Sequence, residues 1–133
     1  MSAKAAKKRI LVIDDDASVL ISLERLLENE GYETTTVWSG QEGLSMLRSN
    51  EFDMVLLDDY LRDITHEEIF KAIRRLEFQP LVVLTESIAE PGTAEHFFSL
   101  GGAAVVAKRA PCEEITAEIR KCFENATLET VIP

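Results

Sequence analysis

Five residues suited to charge neutralisation or hydrogen bonding stand directly after short apolar runs. Asp14 and Asp15 follow Ile10-Leu-Val-Ile13, and Asp58 follows Met54-Val-Leu-Leu57; Thr85 follows Leu81-Val-Val-Leu84, and Lys108 follows Ala103 to Ala107. If the runs are parallel strands, all five side chains gather at one sheet edge. Three crowded carboxylates repel one another: like charges 4 Å apart cost about 1 kcal/mol in water and about 4 kcal/mol at an effective dielectric of 20. Lys108 supplies one offsetting charge. A hard divalent ion with oxygen ligands supplies two more, and Mg²⁺, usually held by one or two carboxylates plus waters, suits the site best.

The elements that must position these residues follow from period. Each apolar run precedes a helical pattern, beginning with Leu20, Leu23 and Leu27 and closing at Gly31. Asp16 is expected to cap that helix. Tyr32 to Val37, rich in threonine, reads as the second strand, and Ser39 as the cap of a helix carrying Leu44 and Leu47. Ile69, Ile73 and Leu76 mark a third helix with Thr65 as cap and Glu68 completing a capping-box pattern. A fourth helix runs to Leu100-Gly101-Gly102, and Pro111 suits the first turn of a last one, with Ile115, Ile119, Cys122 and Phe123 inward. Phe97 and Phe98, about 100° apart on the fourth helix, are both expected in the core. Continuously apolar strands alternating with helices imply one α/β domain, a doubly wound five-stranded parallel sheet with helices on both faces.

Composition narrows the classes. A chain of 133 residues with 46% hydrophobic and 29% charged residues is ordinary for a single soluble domain. The net charge of −10 argues against direct nucleic-acid binding. No apolar run approaches a membrane span or a signal-peptide core. Cys112 and Cys122 are about 15 Å apart along one helix, too far for a bridge, which points to a reducing compartment. Residues 1–8, with Lys4, Lys7 and Lys8, read as a basic flexible terminus, residues 9–125 as the domain, and 126–133 as a tail or the start of a linker.

The collinear set Ile10 to Asp16, Phe52 to Asp58, Leu81 to Thr85 and Gly101 to Lys108 resembles the receiver domains of two-component response regulators over roughly residues 8 to 125. The resemblance implies a flavodoxin-like strand order 2-1-3-4-5. It implies that Asp58 accepts a phosphoryl group from a histidine kinase, a phosphotransfer protein or a small phosphodonor. Asp15, Asp58 and the backbone carbonyl of Tyr60 would bind Mg²⁺ directly, with Asp14 acting through a water. Lys108 and the Thr85 hydroxyl would contact the phosphoryl oxygens. A cytoplasmic location and an output partner at the fourth helix, fifth strand and fifth helix follow from the same likeness. Such a domain catalyses only its own phosphorylation and dephosphorylation, so it is not an enzyme acting on a separate substrate.

The pattern breaks at several positions. Arg62 stands where the family usually has proline, and Thr65-His66 replaces a usual Asp-Gly or Ser-Gly. Glu86 follows Thr85 where a small residue is normal, Val105 replaces an aromatic switch residue, and Arg109 replaces a proline after Lys108, so the Lys108–Arg109 peptide is expected to be trans. Tyr60, Glu86, Val105 and Arg109 are therefore candidate modulators. A phosphorylation-independent interaction module is the second reading. A phosphohydrolase would want a second acid two positions after Asp58, where Tyr60 stands, and a flavin site would want a hydroxyl- or glycine-rich loop after the first strand. His66 and His96 have no ligand spacing and read as surface residues.

Overall fold

The computed structural model describes residues 6–131. The chain alternates strand and helix throughout: β1 (Arg9–Ile13), α1 (Ala17–Asn29), β2 (Glu33–Val37), α2 (Gly40–Ser49), β3 (Met54–Asp58), α3 (His66–Ile73), β4 (Leu81–Glu86), α4 (Thr93–Ser99), β5 (Ala104–Ala107) and α5 (Cys112–Val131). All strands are parallel, in the order β2-β1-β3-β4-β5. The expected fold class and strand order both hold. Strand bounds differ slightly from the sequence reading, with β2 starting at Glu33 and β4 running through Thr85 to Glu86. The last helix continues to Val131, past position 125. The N-terminal Lys4 lies outside the described residues.

Alternation along each strand divides the core in two. One face packs Leu11, Ile13, Val55, Leu57 and Leu84 beneath α2, α3 and α4. The other packs Ile10, Val12, Met54, Leu56 and Val83 beneath α1 and α5, where Ile115, Ile119 and Cys122 are buried as expected and Phe123 packs at the margin. Both faces are covered, which is why the central strands tolerate no polar alternation. Cys112 and Cys122 are both free thiols.

Helix ends show the local chemistry that stops and starts each element. Asp16 accepts from Ser18 N, Ser39 from Glu42 N and Thr65 from Glu68 N, so the three expected caps are in place. Gly31 adopts φ 92° just past α1, the left-handed conformation that glycine alone takes without steric cost. Phe97 is fully buried, edge-on to Phe70 with ring centroids 5.5 Å apart. Phe98 is 49% exposed, which corrects the expectation that both rings enter the core. Helix α4 turns Phe97 onto the core, and Phe98, about 100° further round the helix, is left at its solvent margin.

One long-range cap was not visible in the sequence. The Asp63 carboxylate, from the loop after β3, accepts from Gly40 N at 3.0 Å and Gln41 N at 2.9 Å at the start of α2. Burial pushes the Asp63 carboxyl up, but the N–H groups of Gln41 and Gly40 outweigh it and hold the group below the ordinary 3.8. Asp63→Ala is expected to cost about 1 kcal/mol, within the usual range for a lost cap. A depressed native pKa contributes stability above the unfolded value, and that contribution disappears as pH falls through the native one. Urea unfolding should therefore separate wild type from variant at neutral pH and merge them well below pH 3.8.

Candidate functional site

The parallel register delivers the five strand-end residues to one edge. Asp58 ends β3 directly beside Thr85 of β4, and β1 ends one residue before Asp14. The Asp14 backbone N–H donates to Val37 O, which ties the end of β1 to β2. Asp14, Asp58 and Thr85 are nearly inaccessible, at 1%, 1% and 4% exposure, whereas Asp15 faces outward at the mouth. Lys108 reaches in from the end of β5. Its Nζ lies 2.9 Å from Asp14 Oδ2 and 2.9 Å from Asp58 Oδ1. Its backbone N–H donates to Glu86 O at 2.8 Å, fixing the turn from which the side chain extends.

Buried acids and a buried lysine perturb one another. Burial raises the carboxyls of Asp14 and Asp58 above the ordinary range, and the Lys108 ammonium opposes that rise without cancelling it. Burial by itself would lower Lys108, but its bonds to Asp14 and Asp58 win and its pKa is raised. Further donors reach the acids from the backbone: Asp16 N to Asp14 Oδ1 at 2.9 Å, and Tyr60 N to Asp58 Oδ1 at 3.2 Å. Thr85 Oγ1 makes only a long bond to Leu57 O, 3.4 Å, leaving its hydroxyl free to turn to a better acceptor.

Whether the site suits a metal rests on its donors. Asp14, Asp15 and Asp58 each offer a carboxylate oxygen within 4.8 Å of the others. Asp14 Oδ2 has Lys108 as its one close partner, at 2.9 Å, so a buried anionic oxygen retains an unused lone pair. One ammonium facing three carboxylates leaves net negative charge. Hard oxygen donors in that state fit Mg²⁺. The cavity of about 180 Å³ between α1 and α5 shares Thr85 and Lys108 with the site but none of its acids, so it is not where a cation would sit.

The departures take definite positions. The Lys108–Arg109 peptide is trans, since no described bond is cis. Glu86 is buried at 7% exposure, and strand alternation sets its side chain on the Leu84 face, opposite Thr85. Val105 packs at the margin of that same core beneath α4. Tyr60 is 75% exposed beside the acids. Arg62 was notable in the sequence only as a missing proline; in the structure its Nε lies 3.7 Å from Asp15 Oδ2. His66 is not simply a surface residue. It is half-buried, and its Nδ1 lies 3.1 Å from Asp59 O, which can only accept, so Nδ1 carries the proton. His96 is exposed, with Nε2 3.7 Å from Glu67.

A doubly wound sheet with three acids, a threonine and a lysine at its carboxyl edge defines a class of protein. The chain belongs to the response regulator receiver domain family, whose model matches residues 10–120. It is similar to response regulator ArlR of Staphylococcus saprophyticus, 31% identical over 126 residues, covering 93% of this chain and 56% of that protein. Transcriptional regulatory protein CrdR of Helicobacter pylori is 27% identical over 125 residues, covering 92% and 58%. The chain thus spans little more than half the length of these curated relatives. Among solved structures, a CheY-like receiver domain protein from Methanospirillum hungatei JF-1 superposes with TM-score 0.85 at 26% identity over 93% of this chain and 99% of that one. Chemotaxis response regulator CheY4 of Vibrio cholerae gives TM-score 0.81 at 20% identity over 88% and 99%, a likeness of fold. The chain is therefore a receiver domain of two-component signalling.

Proposed function

We propose that the domain is a phosphoryl-accepting switch whose acceptor is Asp58. The observation that carries this reading is the shared contact of Lys108 Nζ with Asp14 and Asp58, 2.9 Å each, in a buried pocket at the carboxyl edge. An Asp58 carboxylate oxygen attacks phosphorus, the phosphorus–nitrogen bond of a donor phosphohistidine breaks, and the imidazole leaves with the electron pair and takes up a proton. With a small acyl phosphate donor, a carboxylate leaves instead. Phosphoryl transfer asks the protein mainly for positioning and charge stabilisation. Lys108 supplies charge on one side, and the Thr85 hydroxyl, weakly engaged, can turn to a phosphoryl oxygen. Asp15, Asp58 and the Tyr60 carbonyl would hold Mg²⁺, with Asp14 acting through a water; the ion supplies neutralisation of the incoming group. The product is a labile acyl phosphate, suited to a reversible signal.

The proposed donor is a histidine kinase or a phosphotransfer protein, and the proposed setting is the cytoplasm, without direct nucleic-acid or membrane contact. We place the output partner at α4, β5 and α5, where Phe98 offers exposed apolar surface. The receiver unit is taken as residues 9–125. A second reading, a module that docks partners without phosphorylation, is favoured by buried Glu86 directly after Thr85. Acetyl phosphate with Mg²⁺ separates the two. Transient gain of one phosphoryl group by intact mass or Phos-tag mobility, abolished in Asp58→Asn, is expected of the switch; an unmodified wild-type protein would support the module.

A further inference from the structure

The β3–α3 loop brings a second cation to the acids, beyond the lysine. Arg62 Nε lies 3.7 Å from Asp15 Oδ2, and the Arg62 side chain is otherwise 88% exposed. Asp14 and Asp58 are buried and already share Lys108, so Asp15 is the acid left facing solvent. Each carboxylate of the cluster therefore has an intramolecular cation. The two differ in kind: Lys108 is enclosed between its partners, whereas Arg62 arrives from outside on a long, exposed stem.

A guanidinium at Asp15 and a divalent ion bound by Asp15 draw on the same negative charge and repel each other. Resting on the metal site described under Proposed function, we propose that Arg62 is a tethered competitor for Mg²⁺ at Asp15, raising the Mg²⁺ concentration at which the site fills. Exposed ion pairs are weak, so the competition is modest, about two- to fivefold in affinity. It is also screened, and shrinks as monovalent salt shortens the Debye length below about 10 Å. The domain would thereby couple its readiness to the divalent ion level, with an arginine holding Asp15 until the ion displaces it.

Isothermal titration with MgCl₂ alone, without a phosphodonor, tests this on wild type, Arg62→Ala, Arg62→Lys, Asp15→Ala and Arg48→Ala. Arg48 lies in the last turn of α2, at the opposite edge of the sheet, and its loss changes net charge equally. Arg62→Ala should bind Mg²⁺ about two- to fivefold more tightly, Arg62→Lys should stay near wild type, and Arg48→Ala should not tighten. Unchanged or weaker binding by Arg62→Ala, or equal tightening by Arg48→Ala, overturns the competitor while leaving the metal site intact. No binding by wild type, or binding indifferent to Asp15→Ala, overturns the metal site and the competitor with it.

Discussion

Lys108→Met is expected to destabilise the domain by about 3 kcal/mol at neutral pH and low divalent ion, in the range found when one partner of a buried ion pair is removed. The reason is local. Asp14 and Asp58 are both at 1% exposure, and Lys108 Nζ stands 2.9 Å from each, so methionine leaves two carboxylates facing one another without a counter-charge. The pH dependence follows in sign. Burial already raises both acids in the native state, so the folded protein binds protons more readily than the unfolded chain. Stability then declines as pH rises from the unfolded value of 3.8 through the native ones. Without the ammonium the native values climb further, and the decline deepens and extends upward. Chemical denaturation at several pH values should show the gap between wild type and Lys108→Met widening from pH 5 to pH 8. Saturating Mg²⁺ should close much of it, since an ion that binds only the native state stabilises by mass action. A variant as stable as wild type across that range would mean the lysine is not offsetting the buried acids.

Phe97→Ala is expected to cost about 3–5 kcal/mol, the usual loss for a buried phenylalanine. Phe97 is fully buried, packs edge-on against Phe70 and contacts the half-buried His66 ring with centroids 6.5 Å apart. A Cβ added at Gly102 would collide with the Phe97 ring, so backbone also closes on it. Phe98→Ala, at 49% exposure, should cost under about 1 kcal/mol. Urea midpoints for the two variants, measured side by side, check the orientation of α4; equal losses would place both rings in the core.

That pair of phenylalanines also marks where sequence reasoning stops. The central strands were legible because a buried parallel sheet demands unbroken apolar runs, β2 at the edge was legible from its threonines, and the site residues were legible because the runs that carry them end in polar residues. The caps at Asp16, Ser39 and Thr65 were legible because capping acts over two or three residues. Which of Phe97 and Phe98 enters the core depends on how α4 is rotated about its axis, set by packing against residues far away in sequence such as Phe70. Asp63 capping α2 spans 23 residues and leaves no periodic trace. Arg62 was visible only as a residue out of pattern; that it meets Asp15 depends on the path of the loop after β3. His66 lacked any ligand spacing, and its bond to the Asp59 carbonyl is made to backbone, which side-chain identities do not reveal.

The central claim is that Asp58, among the crowded acids, carries the phosphoryl group. Borohydride reduction of the protein after acetyl phosphate and Mg²⁺ converts an aspartyl phosphate to homoserine, which peptide mass mapping can place. Conversion at position 58, absent without the phosphodonor, is the expected result. Conversion at Asp14, Asp15 or Asp59 with position 58 unchanged, or no conversion in a preparation shown to bind Mg²⁺, would contradict it.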